Sequence, residues 1–134
     1  MRPVSLKYVI LGVFFLDQAI KFLVIRFDWL YVCNRGVAFG LEFNKFLVYF
    51  LNFLIICLLL WGSRRVGDFY GEKWVIYLII GAAISNFFDR VARGCVIDYI
   101  DLRVWPVFNL ADAIIVLGVG YWVLGDFLKK KKSD

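Results

Sequence analysis

Apolar residues along the chain fall into four long blocks separated by short polar stretches. The blocks run from about Leu6 to Ile25, Phe46 to Trp61, Trp74 to Phe88 and Ala111 to Leu128. Crossing a bilayer takes roughly 20 apolar residues in a helix, so each block predicts a transmembrane helix. The second and third are short and need flanking residues or tilt to complete the crossing. Between the first two blocks lies RFDWLYVCNRGVAFGLEFNK. Its aromatics Phe27, Trp29 and Tyr31 suit a membrane interface, and Gly36 and Gly40 suit turns, which predicts a small strand or hairpin lying on the membrane. The expected fold is an all-α membrane protein, a four-transmembrane-helix bundle with a small extracytoplasmic β or loop element between helices 1 and 2, in one domain over residues 1–134.

Composition agrees with this pattern. The chain is 63% hydrophobic, against about 45–50% for a soluble domain. The net charge of +5 does not point to nucleic acid, because the basic residues bracket apolar blocks and form no stripe. They instead set orientation. With the N-terminus in the cytoplasm, the inner segments hold nine Lys or Arg and the outer segments six, with Lys21 inside the first helix, so both termini are placed inside. The first block follows Arg2 and Lys7 as a signal peptide would, but it runs past a short apolar region, contains Asp17 and Lys21, and has no small-x-small cleavage site after it. It reads as a permanent helix. The three cysteines have no C-x-x-C spacing and the chain has no histidine, which argues against a zinc site. Cys57 reads as packing. Cys33 and Cys95 both fall on the outer side, where they can pair; two free small residues is the preferred reading from spacing alone.

Ionisable residues inside transmembrane helices are costly and usually functional. Asp17 and Lys21 are four apart and share a helix face. An ion pair of that kind can simply hold helices together. Depth adds to the picture. At about 1.5 Å per residue, Asp17 lies roughly 16 Å above Leu6, Lys21 roughly 22 Å above it, Asn86 roughly 18 Å above Trp74, and Asp112 roughly 24 Å from Leu128. With Asp89 at the outer end of the third helix, polar groups from three helices converge on the outer third of the bilayer. Asp89, Asp98, Asp101 and Asp112 all lie in NFFDRVARGCVIDYIDLRVWPVFNLAD. Taken singly, Asp98 and Asp101 read as loop charges, and Asp112 as an acidic residue near a helix start capped by Asn109. Together they favour chemistry.

That chemistry is narrowed by what is missing. Without histidine or threonine there is no Ser-His-Asp or Cys-His arrangement. Ser85 with Lys21 stays open as a Ser–Lys pair. The outer layer otherwise offers carboxylates, and two close carboxylates cannot both ionise cheaply: they share a proton, one serving as base toward water and the other as acid toward the amide. This chemistry needs no cofactor.

Four segments then match a family in order. Asp17-Gln18-Ala19-Ile20-Lys21, Asn34-Arg35-Gly36-Val37-Ala38-Phe39, Asn86-Phe87-Phe88-Asp89-Arg90 followed by Gly94-Cys95-Val96-Ile97-Asp98-Tyr99, and Phe108-Asn109-Leu110-Ala111-Asp112 resemble the DQxxK, NxGxAF, NxxDRxxxGxVxD[FY] and FNxAD motifs of the bacterial lipoprotein signal peptidases (type II signal peptidases). The resemblance implies catalytic roles for Asp98 and Asp112. It implies substrate-binding roles for Asn34, Gly36, Asn86, Arg90 and Asn109, and supporting roles for Asp17, Lys21 and Asp89. It also implies a diacylglyceryl-modified prolipoprotein substrate cut before its lipidated cysteine, in contact with membrane lipid at the outer leaflet of the bacterial inner membrane, with no metal and no nucleic acid. A monomer is expected. Ser85, Cys95 and Ala113 are less usual choices for the family. Three other readings are a small transporter using Asp17 as coupling carboxylate, a metal-dependent phosphotransferase with clustered aspartates, and an inactive binding scaffold.

Overall fold

Of the chain, the computed structural model describes residues 6–36, 44–63 and 70–131. The described elements are α1 (Leu6–Arg26), β1 (Val32–Asn34), α2 (Lys45–Ser63), α3 (Tyr70–Arg93), β2 (Val96–Asp98) and α4 (Leu110–Lys131). α1, α2 and α3 each contain a stretch long and apolar enough to cross a membrane, and α4 carries a shorter apolar stretch, Leu110–Leu124. The residues Val37–Gly40 expected to complete a turn-rich element lie outside the described residues.

α3 is the axis of the bundle. It packs against each of the other three helices, and 61% of its apolar stretch is buried, against 17% for α2. The outer faces are large and apolar: Phe15 and Phe22 on α1, Phe46 and Phe50 on α2, and Val116 and Leu117 on α4 are exposed. Soluble proteins avoid such continuous apolar surface, whereas lipid accepts it. Cys57 belongs to this surface. It is exposed on α2, which corrects the expectation that it packs inside: helix position, not apolar composition, decides which face it takes.

With lipid outside, helices gain little from hydrophobicity alone and must approach closely. Gly81 makes this possible between α3 and α1, since a Cβ there would sit 2.8 Å from the Ile10 carbonyl oxygen. Gly118 does the same between α4 and α3, although there the obstructing atoms belong to the Ile79 side chain, the nearest at 2.7 Å.

α3 is longer than the apolar block Trp74 to Phe88 suggested, running 24 residues. The pattern of apolar residues stops at Asp89, but the helix does not, because Asp89 and Arg93 pair across one turn and Arg90 and Arg93 complement the C-terminal dipole. The helix ends where Gly94 adopts a φ of +76°, its N–H bonded to the Arg90 carbonyl. The chain then turns into β2. Of the small strand or hairpin expected between α1 and α2, the described residues hold a strand, β1, whose partner lies outside that segment. It pairs antiparallel with β2, with Val32 opposite Asp98, Cys33 opposite Ile97 and Asn34 opposite Val96. The partner strand thus comes from the far side of α2 and α3, a long-range pairing that local turn signals do not reveal. The pairing also aligns two cysteines: Cys33 and Cys95 form a disulfide across 62 residues, in place of the two free thiols preferred from spacing.

Gly81→Ala is expected to destabilise the bundle by about 1–3 kcal/mol, because backbone blocks the added methyl. Gly118→Ala should cost less, since the Ile79 side chain can shift. Thermal unfolding of the two variants in detergent checks the order.

Candidate active site

Between α1, α3, β2 and the start of α4 lies a set of buried polar side chains: Asp17, Lys21, Ser85, Asn86, Asp89, Asp98 and Asn109 are each at most 4% exposed. Burial of this kind is tolerable only when each group is hydrogen-bonded. Lys21 shows how completely this is achieved. Its ammonium has three donors, and they meet Asp17 Oδ2 at 2.7 Å, Asp89 Oδ2 at 2.7 Å and Asn86 Oδ1 at 3.0 Å. Asp89 also binds Arg93 and Gln18 and accepts the Ile97 N–H from β2 at 3.3 Å. The Ser85 hydroxyl donates to Asp17 Oδ2 at 2.6 Å and accepts from Gln18 Nε2 at 2.8 Å. The Ser–Lys alternative therefore finds no support in the geometry: Lys21 is committed to three acceptors, and Ser85 gives its proton to a carboxylate.

Asp17 connects this cluster to α4. Its Oδ1 accepts the Ala111 N–H at 3.2 Å. A helix N-terminus leaves four N–H groups without intrahelical partners, and at α4 every one is met. Leu110 donates to the Tyr99 hydroxyl, Ala111 to Asp17, Asp112 to Asn109 Oδ1, and the Asn109 N–H to Asp112 Oδ2, while Ala113 makes the first intrahelical bond, to the Asn109 carbonyl. Asp112 Oδ2 returns a bond to the Asn109 N–H at 3.3 Å, so Asn109 and Asp112 form a reciprocal cap.

The cap is also the bridge between the two carboxylates. Asn109 Nδ2 donates to Asp98 Oδ1 at 2.7 Å and to Asn86 Oδ1 at 3.1 Å, while Asn86 Nδ2 donates to Asp112 Oδ1 at 2.8 Å. Asn34, carried by β1, donates to Asp98 Oδ2 at 3.0 Å. Asp98 and Asp112, distant readings in the sequence, thus share one asparagine and face one another across it. Burial pushes the Asp98 carboxyl up from 3.8 to about 6; the Asn34 hydrogen bond opposes the rise, Asp112 adds to it, and Asn109 and Lys21 oppose it. Asp101, by contrast, is exposed and caps a turn through the Arg103 N–H.

Arg90 flanks the pair. Its guanidinium reaches Asn52 Oδ1, the Asn86 carbonyl and the Gly36 carbonyl at 3.3–3.4 Å. Among the described residues its buried Nε has no hydrogen-bond partner. Gly36 contributes backbone only: its N–H donates to Asn34 Oδ1 at 3.0 Å, which orients that side chain. Two residues of α2 were missed from the sequence. Tyr49 donates to the Arg90 carbonyl at 2.6 Å, and Asn52 receives the Arg90 guanidinium. Asn52 carried a signal, being an amide in the middle of an apolar block. Beside Asp112, an apolar cavity of about 340 Å³ opens between Leu102, Trp105 and Phe108 on one side and Ala113, Val116 and Leu117 of α4 on the other. Among the described residues, no group of three or more Cys, Asp or Glu is arranged to hold a metal.

These features define a class: a helical protein with an apolar exterior and an enclosed pair of carboxylates next to an apolar cavity. Comparison with known proteins narrows it. The family model for signal peptidase (SPase) II matches residues 9–128. A lipoprotein signal peptidase of Halothermothrix orenii is 37% identical over 94% of this chain and 97% of its own length, and one of Haemophilus ducreyi is 40% identical over 96% and 86%. A solved bacterial membrane enzyme structure superposes with a TM-score of 0.81 at 22% identity, covering 99% of this chain and 93% of the other. The chain belongs to the signal peptidase II family.

Lys21→Met is expected to destabilise the protein by about 3–5 kcal/mol, since it strands Asp17 and Asp89 without their shared cation. Asp17→Asn should cost less, because one ion pair survives. Unfolding transitions of both variants in the same detergent test this.

Proposed function

We propose that Asp98 and Asp112 are the catalytic pair with which this bacterial membrane peptidase removes signal peptides from diacylglyceryl-modified prolipoproteins, the activity of its family. The observation that carries the assignment is the Asn109 side chain, bonded to Asp98 while its backbone and Oδ1 hold Asp112. One carboxylate takes a proton from water as the water attacks the scissile carbonyl. The other, protonated, donates to the carbonyl oxygen; the first then passes the water proton to the leaving amine while the second takes back a proton from the diol, so that one water is consumed and one acid and one amine are formed. A proton must stay on the pair for this, and the raised Asp98 carboxyl keeps it toward the working range. Asn86 and Asn109 orient the two acids. Arg90, with its Nε unused among the described residues, and Asn34 and Gly36 at the edge of β1 receive the substrate backbone. The cavity beside Asp112 takes apolar substrate. Asp17, Lys21 and Asp89 hold the frame.

In this reading α4 completes a fourth span, and residues 1–134 form one integral membrane domain that acts as a monomer in contact with lipid. The termini face the cytoplasm and the site lies at the outer leaflet. The Cys33–Cys95 bond supports that side, because disulfides persist in oxidising compartments, and the distribution of Lys and Arg agrees. The transporter reading, which rests on Asp17, is disfavoured by the geometry: Asp17 is fully enclosed and bound to Lys21, Ser85 and the α4 N-terminus.

Asp98→Asn and Asp112→Asn should each fold and lose cleavage of a diacylglyceryl prolipoprotein by about 100-fold or more, with no effect of a chelator on the parent enzyme and retained activity in Ser85→Ala. Full activity in either aspartate variant would remove the assignment. The pH profile of kcat/KM gives a second check. Activity should fall as pH rises through about 6, where the proton leaves the raised carboxyl, as a property of the coupled pair. Asn34→Ala removes a bond that favours the ionised form and should move this limb to higher pH.

A further inference from the structure

The two strands that meet beside the site are held very differently. β2 is buried along its length; Cys95 and Ile97 pack with Val24 of α1, against Ile20 and Tyr99. β1 is exposed at Val32 and Cys33 and joins β2 through three residue pairs only. An isolated two-stranded ladder is marginal at best, so packing and hydrogen bonds alone hold β1 weakly. The covalent link supplies what the ladder lacks. Cys33 is adjacent to Asn34 in β1, and its sulfur is bonded to Cys95, the residue just before β2. Asn34 in turn reaches across the ladder to Asp98 Oδ2.

We infer that the Cys33–Cys95 disulfide is a positioning element for the reaction: by fastening exposed β1 to buried β2 it keeps the Asn34 amide on the Asp98 carboxylate, so that cleavage depends on the redox state of this bond. The inference rests on Asp98 being catalytic. The other charged and titratable groups that face Asp98 are held elsewhere: Lys21 on α1, Arg90 on α3, Tyr99 after β2 and Asp112 on α4. Of these, Arg90 meets the β1 segment only at the Gly36 carbonyl. Opening the bond therefore removes the contribution of Asn34, while Lys21, Tyr99 and Asp112 keep theirs and Arg90 keeps its bonds to Asn52 and Asn86.

The bond is approached from the exposed Cys33 side. A water-soluble trialkylphosphine attacks the Cys33 sulfur, the S–S bond breaks, and Cys95 leaves as a thiolate that takes up a proton. Water then releases the Cys33 thiol and the phosphine oxide, two electrons having passed from phosphorus to sulfur. Treatment of the purified enzyme in detergent, with opening verified by two new alkylatable thiols, is expected to lower kcat/KM for a diacylglyceryl prolipoprotein roughly tenfold, the scale of one lost hydrogen bond to a charged group. It should also move the alkaline limb to higher pH, as Asn34→Ala does. Reoxidation should restore both. In the Asn34→Ala background, reduction should leave the limb where it is and lower the rate less than in the parent, because only the Gly36 contact with Arg90 remains to be lost. The Cys33→Ala, Cys95→Ala pair should match the reduced enzyme and ignore the phosphine; if that variant does not fold, reduction and reoxidation of the assembled enzyme decide. Unchanged rate and limb after verified opening, or an equal loss in Asn34→Ala, overturns the inference. Retained cleavage by Asp98→Asn instead overturns the assignment beneath it.

Discussion

Lys21 and its three acceptors are the interaction on which the rest depends. A charged amine at the depth of a membrane helix has no water to fall back on, and its cost is removed only when every donor is met. Here the acceptors come from α1 itself and from two positions on α3 one turn apart. One side chain therefore fixes the rotation and the register of two helices at once. Apolar packing in lipid does not do this, because one apolar face is nearly as good as another. The close approach at Gly81 brings the two backbones together; the ammonium determines which residues then face each other.

From that fixed point the polar network extends in one direction. Asp17 passes from Lys21 to the first turn of α4, and Asn86 passes from Lys21 to Asp112 and Asn109. The start of α4 is thus positioned by the same groups that neutralise the buried amine. A helix N-terminus brings partial positive charge and free N–H groups, and all of them are met, by Tyr99, Asp17, Asn109 and Asp112. Asp112 is drawn on only for the Asn109 N–H, and in the proposed reading the remaining lone pairs of the two carboxylates serve substrate and water. Structural saturation around the pair, with hydrogen-bonding capacity left among the described residues at the buried Arg90 Nε, distinguishes the site from the scaffold that carries it.

The helices were legible in the sequence because lipid imposes a simple rule, long apolar blocks, and the buried polar residues were legible because they break it. Asp17, Lys21, Asn86 and Asp89 stand out for that reason. What the rule hides is where a helix continues through charges, as α3 does beyond Phe88, since ion pairs one turn apart satisfy residues that hydropathy marks as a boundary. Nor does periodicity reveal the β1–β2 ladder, whose partners are brought together by tertiary packing across two helices, or the bond between Cys33 and Cys95 that follows from it. Asn109 illustrates a different limit. Its capping role is local and could be read from its place three residues before Asp112, but its bond to Asp98 depends on β2 returning along the α4 start.

In the proposed reading, the double use of Asn109 brings the two acids together. Like charges in a low-dielectric site repel strongly, and a pair of carboxylates held by flexible loops would separate. At this site one acid is part of a helix cap and the other lies in a strand buried on both sides. A single amide spans the gap, with its nitrogen toward Asp98 and its oxygen committed to the helix. The α4 start and β2 are anchored through Asp17, Asp89 and the Lys21 amine. In the same proposed reading, repulsion between the acids is relieved through protonation and not through movement, which is the condition under which a shared proton can be used for chemistry.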